Sequence, residues 1–213
     1  MTTIGVLALQ GDFVEHLAVL RRLGVDVRQV RTPDALRGLD GLIIPGGETT
    51  TFCRLAQDFD LHEPLQAATR NGLPVWGTCA GLIVLARRPA GLDYPTLEAM
   101  DITVRRNAFG RQVDSFEADL KVPALDNSSP SEDSPRSFRG VFIRAPVIEQ
   151  AGVGVEVLAR LPAEAGHLGE SPVALRQGSL LATSFHPELT DDDRFHRYFL
   201  DIVRQQGKRT SPK

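Results

Sequence analysis

The sequence has few cysteines and no long hydrophobic run. Its 213 residues include two cysteines, Cys53 and Cys79, which are too few for a disulfide framework and lack the paired C-x-x-C spacing of zinc sites. No apolar segment approaches the ~20 residues that span a bilayer. The amino-terminal segment MTTIGVLALQGDF has no basic region of the kind that opens a signal peptide. We therefore expect a cytoplasmic protein with reduced thiols, no metal site and no membrane anchor.

No excess charge of either sign is present. The formal net charge is -3, so nothing points to nucleic acid or to an acidic membrane surface as a partner. Hydrophobic residues make up 42% and charged residues 24% of the chain, which excludes a disordered or collagen-like protein. The length favours one domain, or at most two small ones, and we place a single domain at residues 1–205. The polar segment Asp126–Ser137 is predicted to be a mobile surface loop, and residues 206–213 a flexible tail.

Strand-like and helix-like segments alternate in the first half of the chain. Short apolar runs at Ile4–Leu9, Leu39–Ile44 and Leu73–Trp76 predict buried strands. Asp12 and Glu15 have capping-box spacing, which predicts the start of a helix after the first strand. The second half is richer in strands and closes with an amphipathic helix. These patterns predict an α/β protein built on right-handed β-α-β units and a parallel sheet.

The segment GTCAG, residues 77–81, lies between a predicted buried strand and a predicted helix. A nucleophile at such a junction sits on a sharp turn with small neighbours, and the positive end of a helix dipole favours the reactive thiolate. The backbone N–H of Ala80 is a candidate donor to a developing oxyanion. The segment therefore favours Cys79 as a nucleophile, although a small buried packing residue is the commoner role of a cysteine.

A histidine and a glutamate two residues apart follow a later strand. Residues two apart in an extended segment point the same way, and the proline between His186 and Glu188 stiffens that geometry. His186 is thus a candidate base for the Cys79 thiol, with Glu188 orienting its ring. Sites in open α/β sheets lie outside the carboxyl ends of strands, where these residues would meet. A surface His–Glu pair without a role is the alternative.

A pair of glycines follows another predicted strand, in the segment PGGE at residues 45–48. Two glycines let the backbone approach a ligand closely and expose its N–H groups. With Cys79 as nucleophile, this loop could supply a second oxyanion donor. An ordinary tight turn is the alternative, because the motif alone is weakly specific.

The remaining polar candidates are weaker. Three histidines lack ligand spacing and are expected to be surface or capping residues: His16, His62 and His167. Cys53 lies in a helical pattern and is expected to pack. Arginines that could receive a carboxylate bidentately are Arg105, Arg106, Arg111 and Arg144.

Taken in order, these motifs resemble the class I (triad) glutamine amidotransferases, and within them the glutaminase-subunit family of bacterial pyridoxal 5'-phosphate synthase. The resemblance extends to about residue 205. The motifs that carry it are LALQGDFVEH (7–16), PGGETTT (45–51), GTCAGLIVLA (77–86), DITVRRNAFGRQVDSFE (101–117), FIRAP (142–146) and ATSFHPELTDDDRFHRYFL (182–200). Two departures are modest: Thr49 stands where the family usually has serine, and Leu82 where methionine is common.

The resemblance implies a three-layer, flavodoxin-like fold around a mixed, mostly parallel sheet. It also implies a catalytic triad of Cys79, His186 and Glu188 that hydrolyses L-glutamine through a glutamyl thioester, without a cofactor. The further positions that match the family's motifs are Gly47 and Ala80 for the oxyanion hole, Gly47, Glu48, Thr49, Arg106, Ile143 and Arg144 for glutamine binding, and Gln10 for the partner interface and activation.

The implied partner is a synthase subunit, a TIM barrel that receives the ammonia and combines ribose 5-phosphate with glyceraldehyde 3-phosphate to make pyridoxal 5'-phosphate. Twelve synthase subunits would assemble with up to twelve glutaminases. We further expect the oxyanion hole to be incomplete without the partner, since uncoupled turnover would waste glutamine. The alternatives are a glutaminase serving another synthase, a non-catalytic scaffold with the same fold, and a free-standing cysteine hydrolase.

Overall fold

The computed structural model describes residues 2–106, 115–128, 137–165 and 168–210. Within these ranges, strands and helices alternate along the first half and strands dominate the second. Their bounds are β1 (Thr3–Leu7), α1 (Phe13–Arg22), β2 (Asp26–Val30), β3 (Gly41–Ile44), α2 (Thr49–Asp58), α3 (His62–Arg70), β4 (Val75–Thr78), α4 (Ala80–Leu85), β5 (Ala86–Ala90), β6 (Met100–Arg105), β7 (Ser115–Leu120), β8 (Phe138–Ile143), β9 (Val147–Ala151), β10 (Glu156–Arg160), β11 (Pro172–Gln177), β12 (Leu180–Thr183) and α5 (Arg194–Thr210).

A seven-stranded sheet forms the centre of the molecule, in the order β10-β11-β12-β4-β3-β1-β2. The five strands from β12 to β2 pair in parallel, whereas β10 and β11 add antiparallel pairs at one edge. Smaller sheets are formed by β5-β6-β9 and by β7-β8. The predicted mixed, mostly parallel α/β sheet is confirmed.

Alternating residues of the central strands face two separate cores. Ile43 and Trp76 belong to a core that includes residues of α1 and α5. Leu42 and Val75, each one residue away along the same strands, belong to a second core with α2, α3 and α4. Because successive strand residues point to opposite faces, the helices cover both faces of the sheet, and the result is three layers.

The elements missed by the sequence reading lie where local patterns were weakest. Helix α3 has a single buried residue, Leu65, so its apolar stripe is faint. Strand β5 reads ARRPA and has only one buried residue; it is recognised by its pairing with β6. Of the predicted loop at residues 126–137, positions 129–136 lie outside the described residues. Helix α5 continues to Thr210, past the proposed domain boundary at residue 205.

The strand order brings four loops to one edge of the sheet. Strands β12, β4, β3 and β1 are neighbours and parallel, so their carboxyl ends lie side by side. The segments after them contain His186, Cys79, Gly47 and Gln10, respectively. Residues from distant parts of the sequence therefore meet at the position where ligands bind in open α/β sheets.

The turn after β4 depends on close backbone contact. A β-carbon added at Gly81 would collide with the carbonyl oxygen of Ile44, at the end of β3. Because this obstacle is backbone, we expect Gly81→Ala to lower the free energy of unfolding by about 1–3 kcal/mol. Urea denaturation measures the change. Gly207→Ala in α5 is the matched control, because a β-carbon there meets open space and alanine favours helix. An unchanged urea midpoint for Gly81→Ala would contradict the expectation.

Candidate active site

Cys79 occupies the sharp turn between β4 and α4. Its backbone has φ of 47° and ψ of -104°, a conformation that residues with a side chain rarely adopt. Its N–H donates to the carbonyl oxygen of Thr183 in β12 at 2.8 Å, and its Sγ lies 3.7 Å from the carbonyl oxygen of Ile143. The strained turn sets the thiol between the ends of β12 and β8, which matches the predicted strand–helix elbow.

His186 lies between the Cys79 thiol and two carboxylates. Its Nδ1 is 2.8 Å from Oε1 of Glu188 and 3.2 Å from Oδ2 of Asp12. The neighbouring Cys79 thiol also raises the pKa of the ring. Since both carboxylates approach Nδ1, the other ring nitrogen, Nε2, is left for the thiol. The structure thus brings the three predicted residues together, and it places a fourth residue, Asp12, beside them.

The electrostatics of this group favour a protonated His186. Burial by itself lowers the pKa of the ring, but hydrogen bonds with Asp12, Cys79 and Glu188 outweigh it and hold the pKa well above its usual value. Burial raises the pKa of the Glu188 carboxyl, an effect that His186 partly offsets. The hydrogen bond from His186 lowers the pKa of Asp12. The arrangement therefore supports an imidazolium next to the thiol, which is the partner that a thiolate nucleophile needs.

The role predicted for Asp12 requires a correction. Helix α1 begins at Phe13, as the capping signal indicates, but the Asp12 side chain makes no cap hydrogen bond. Its carboxylate faces His186 instead, and Asp12 lines the cavity beside Cys79. Capping-box spacing describes only the local backbone, so it carries no information about a partner far along the chain.

An open cavity of about 360 Å³ adjoins the thiol. Most of the residues predicted for the site line it, and Glu188 lies behind His186. The lining comprises the predicted Gly47, Glu48, Thr49, Cys79, Ala80, Arg106, Ile143, Arg144 and His186, together with the unpredicted Asp12, Ile83 and Pro146. The cavity therefore brings the nucleophile together with several charged and polar groups.

Glu48 and Arg106 provide a pair of opposite charges in the cavity. Partial burial raises the pKa of Glu48, but the N–H groups of Thr50 and Thr51, at 3.0 and 2.6 Å, bring it down to about 2. The Arg106 guanidinium lies 3.2 Å from Oε1 of Glu48. One anionic and one cationic group side by side suit an amino acid, whose amino and carboxylate groups carry the complementary charges.

The loop containing Gly47 is held by Gln10. The backbone N–H of Glu48 donates to Oε1 of Gln10 at 2.8 Å. Gly47 has a φ of 137°, and a β-carbon there would collide with the same Gln10 oxygen. Glycine is required at this position both for its conformation and for the space it leaves. The loops after β1 and β3 are therefore coupled directly beside the nucleophile.

The remaining candidate residues have varied surroundings. The expectation of a surface or capping role for His16 is wrong, because it is fully buried, 3.4 Å from Oε2 of Glu188. His62 is half-buried, with Nε2 3.2 Å from the Thr96 carbonyl oxygen. Arg105 pairs with Glu149. The prediction that Cys53 is a buried packing residue is confirmed. The candidates Arg111 and His167 lie outside the described residues.

Among the described residues, one group has the spacing of a potential metal site. Ligand atoms of Asp12, His186 and Glu188 lie within 4.8 Å of one another. These are the atoms already joined by hydrogen bonds at Nδ1, and a metal ion there would displace the proton that the two carboxylates share.

Within the described ranges, no helix has both the length and the apolar character needed to cross a membrane.

Comparison with known proteins decides the family. The profile of the SNO glutamine amidotransferase family matches residues 6–205. The chain belongs to this family. Relatives with which it aligns include pyridoxal 5'-phosphate synthase subunit PdxT of Dehalococcoides mccartyi, 55% identical over 94% of this chain and 97% of the relative. The PdxT of Kineococcus radiotolerans is 53% identical over 96% of each chain.

A solved structure supports the same membership. A crystal structure described as a glutamine amidotransferase superposes with a TM-score of 0.83 at 49% identity, covering 94% of this chain and 98% of that one. The predicted family resemblance and fold class are both confirmed.

Asp12 offers a direct test of the electrostatics. Asp12→Asn removes one of the two carboxylates at Nδ1, so we expect the pKa of His186 to fall, with proton binding about threefold to tenfold weaker. NMR titration of the His186 ring measures this. A raised histidine pKa stabilises the fold fully below the unfolded pKa, and the stabilisation is lost as pH rises through the folded pKa. In the variant this loss is therefore expected at lower pH.

The control for this substitution is Asp34→Asn. Asp34 is exposed, lies in a 3-10 helix (Pro33–Leu36) and pairs with Arg37, the residue that follows the helix. This control variant should leave the titration of His186 unchanged. If Asp12→Asn also left that titration unchanged, the Asp12 contact would have no influence on the imidazolium.

Proposed function

We propose that the chain is the glutaminase subunit of a pyridoxal 5'-phosphate synthase and hydrolyses L-glutamine to L-glutamate and ammonia. The observation that carries the proposal is the buried group of Cys79, His186 and Glu188, set against a cavity that also presents Glu48 and Arg106. Family membership supports glutamine as the amide donor. The relatives' names support the assignment to pyridoxal 5'-phosphate synthase.

The first half-reaction forms a thioester. The Cys79 thiolate attacks the side-chain carboxamide carbon of glutamine, and the carbonyl π electrons move to oxygen. As the tetrahedral intermediate collapses, His186 gives its proton to the departing nitrogen, which leaves as ammonia. The raised pKa of His186 supports this sequence, because the imidazolium is present before attack. Glu188 keeps Nδ1 engaged so that Nε2 faces the reacting atoms.

The second half-reaction releases glutamate. Neutral His186 accepts a proton from water, and the resulting hydroxide attacks the thioester carbonyl. Cleavage of the C–S bond regenerates the Cys79 thiolate, and the imidazolium is restored. The reaction consumes one water and needs no cofactor or metal.

The oxyanion of each tetrahedral intermediate would be bound by the N–H groups of Ala80 and Gly47, each contributing about 3 kcal/mol of transition-state stabilisation. The Gly47 loop is coupled to Gln10 through the N–H of Glu48. We propose that docking of the synthase acts on this coupling and completes the oxyanion hole. Binding of the partner and formation of the catalytic site would then occur together.

Glutamine itself would lie in the cavity, beside Glu48 and Arg106. Arg106 would receive the α-carboxylate, and Glu48 the α-ammonium group. Thr49, Ile143 and Arg144 also line this space and would complete the substrate pocket. The side-chain amide then extends to Cys79.

The ammonia would pass to the synthase partner rather than to solvent. This partner is proposed to be a TIM barrel that uses ribose 5-phosphate and glyceraldehyde 3-phosphate, in an assembly of twelve synthase subunits with up to twelve glutaminases. A non-catalytic scaffold is the second possibility considered, but a pure binding protein has no need of a strained cysteine beside a protonated histidine.

Glutamate release tests the proposal. We expect slow release from L-glutamine by the purified chain and a strong increase, on the order of tenfold or more, when the cognate synthase subunit is added. Cys79→Ala should abolish release in both cases because the nucleophile is removed. Turnover that persists in Cys79→Ala, or no turnover in any mixture, would refute the triad and favour the scaffold.

Arg106 tests the substrate-binding part separately. Arg106→Gln should raise KM for glutamine about tenfold with a smaller effect on kcat, since a charge-assisted contact to a part of the substrate that does not react is lost. Arg105→Gln is the matched control: Arg105 is the adjacent arginine, but it pairs with Glu149. Equal KM values for the two variants would remove Arg106 from the glutamine site.

A further inference from the structure

Two buried histidines, in contact with each other, lie behind Glu188. Nε2 of His16, in α1, lies 3.4 Å from Oε2 of Glu188 and 3.3 Å from the Thr78 hydroxyl. Its Nδ1 is 3.0 Å from Nε2 of His196, in α5. Both histidine side chains are 0% exposed. The two main helices on this face of the sheet therefore meet at the carboxylate that orients His186.

The surroundings of both histidines favour the neutral ring. Burial, together with the positive charge on His186 and proximity to His196, holds the pKa of His16 well below its usual value. Burial lowers the pKa of His196 to about 3; the negative charge of Asp193 partly offsets this, and the positive charge of Arg22 adds to it. A neutral imidazole carries one hydrogen and donates through one nitrogen only. The direction of the hydrogen bond between the two rings therefore depends on which nitrogen of each ring is protonated.

The surroundings of the two rings favour His196 as the donor and His16 as the acceptor of this hydrogen bond. If His196 donates from Nε2 to Nδ1 of His16, then His16 carries its hydrogen on Nε2, facing Glu188. His196 Nδ1, which has no hydrogen-bond partner among the described residues, is then a bare lone pair. The opposite direction would leave a buried N–H at that nitrogen unsatisfied and point a ring lone pair at the carboxylate. Buried donors without acceptors are costly, so the first arrangement is favoured.

We propose that His16 is a positioning residue for the Cys–His–Glu triad: its Nε2–H holds the second oxygen of Glu188, so that the first stays on Nδ1 of His186. This proposal rests on the proposed glutaminase triad. Oε2 of Glu188 has no other partner among the described residues. The 3.4 Å separation is long, as is common for catalytic contacts in unliganded sites, which tighten when substrate binds.

The contact between His16 and Glu188 matters because the carboxylates of Asp12 and Glu188 compete for the hydrogen on Nδ1 of His186. Nδ1 of His186 faces Asp12 as well as Glu188. The Asp12 side chain is 37% exposed and that of Glu188 is 0% exposed, so only Glu188 is screened from water. A second hydrogen bond stabilises the charged form of this buried carboxylate. Through Glu188, His16 thereby stabilises the imidazolium and the thiolate that it pairs with.

The protonated nitrogen can be observed in the unsubstituted protein. Long-range ¹H–¹⁵N spectra of protein labelled at its five histidines distinguish Nε2–H from Nδ1–H rings, and His16→Gln assigns the His16 signals. We expect both His16 and His196 to be neutral Nε2–H rings from pH 6 to 8, a range about the usual histidine pKa. A His16 ring protonated on Nδ1, or on both nitrogens, would overturn the proposal.

Thiol reactivity tests the effect on the triad. Iodoacetamide alkylation of Cys79, followed on its peptide by mass spectrometry across pH, reports the thiolate and needs no glutamine. Near pH 6.5, we expect His16→Leu, which has no donor, to react about tenfold more slowly than the parent chain. His16→Gln keeps an N–H at a similar reach and should stay within about threefold. His62→Leu is the matched control, with unchanged reactivity.

The outcomes separate this proposal from the proposed function. Equal alkylation rates in His16→Leu and the parent chain would overturn the role of His16 even if both hydrolyse glutamine. Equal losses in His16→Leu and His16→Gln would also overturn it, since they would reflect packing rather than donation. Loss in His16→Leu with rescue in His16→Gln supports the role. If that pattern appears in a chain that never hydrolyses glutamine, the role of His16 stands and the glutaminase assignment fails.

Discussion

The parallel pairing of β12, β4, β3 and β1 is the constraint on which the site depends. Their carboxyl ends lie side by side, and each strand leads directly into one part of the chemistry: the histidine and glutamate, the cysteine, the glycine loop and the glutamine–aspartate segment. Backbone contact maintains this spacing, through the Cys79 N–H to Thr183 and the close approach of Gly81 to Ile44. Backbone contacts with the neighbouring strands therefore fix the position of Cys79.

Burial determines how the charges in this site behave. Removing an imidazole from water favours its neutral form, and His16 and His196 follow that rule. His186 departs from it because two carboxylates and a thiol surround it. His16, whose surroundings favour the neutral form, and the protonated His186 thus approach the same carboxylate, that of Glu188. Placing the proton at the ring beside Cys79 is what prepares the thiol for nucleophilic attack.

Local patterns in the sequence were sufficient for much of the fold. Continuous apolar runs ending in glycine indicated the central strands, because strands buried on both faces carry few polar residues. Helix α3 and strands β5 and β9 were missed, since their stability comes from partners that no local window contains. The roles of Asp12 and His16 were misread for a related reason. One resembled a helix cap and the other an isolated histidine, because their partners, His186 and Glu188, lie far along the chain.

The sequence by itself determined the α/β class, the family and the identity of the candidate nucleophile, base and orienting acid, because these depend on residue types at short spacings. Only the tertiary structure decided that a second carboxylate shares Nδ1 of His186, that Gln10 engages the Gly47 loop, and that two neutral histidines lie behind Glu188. Each of these depends on distances between residues that are remote in sequence. Such distances, and the protonation that follows from burial, exist only once the strands have paired and water has been excluded.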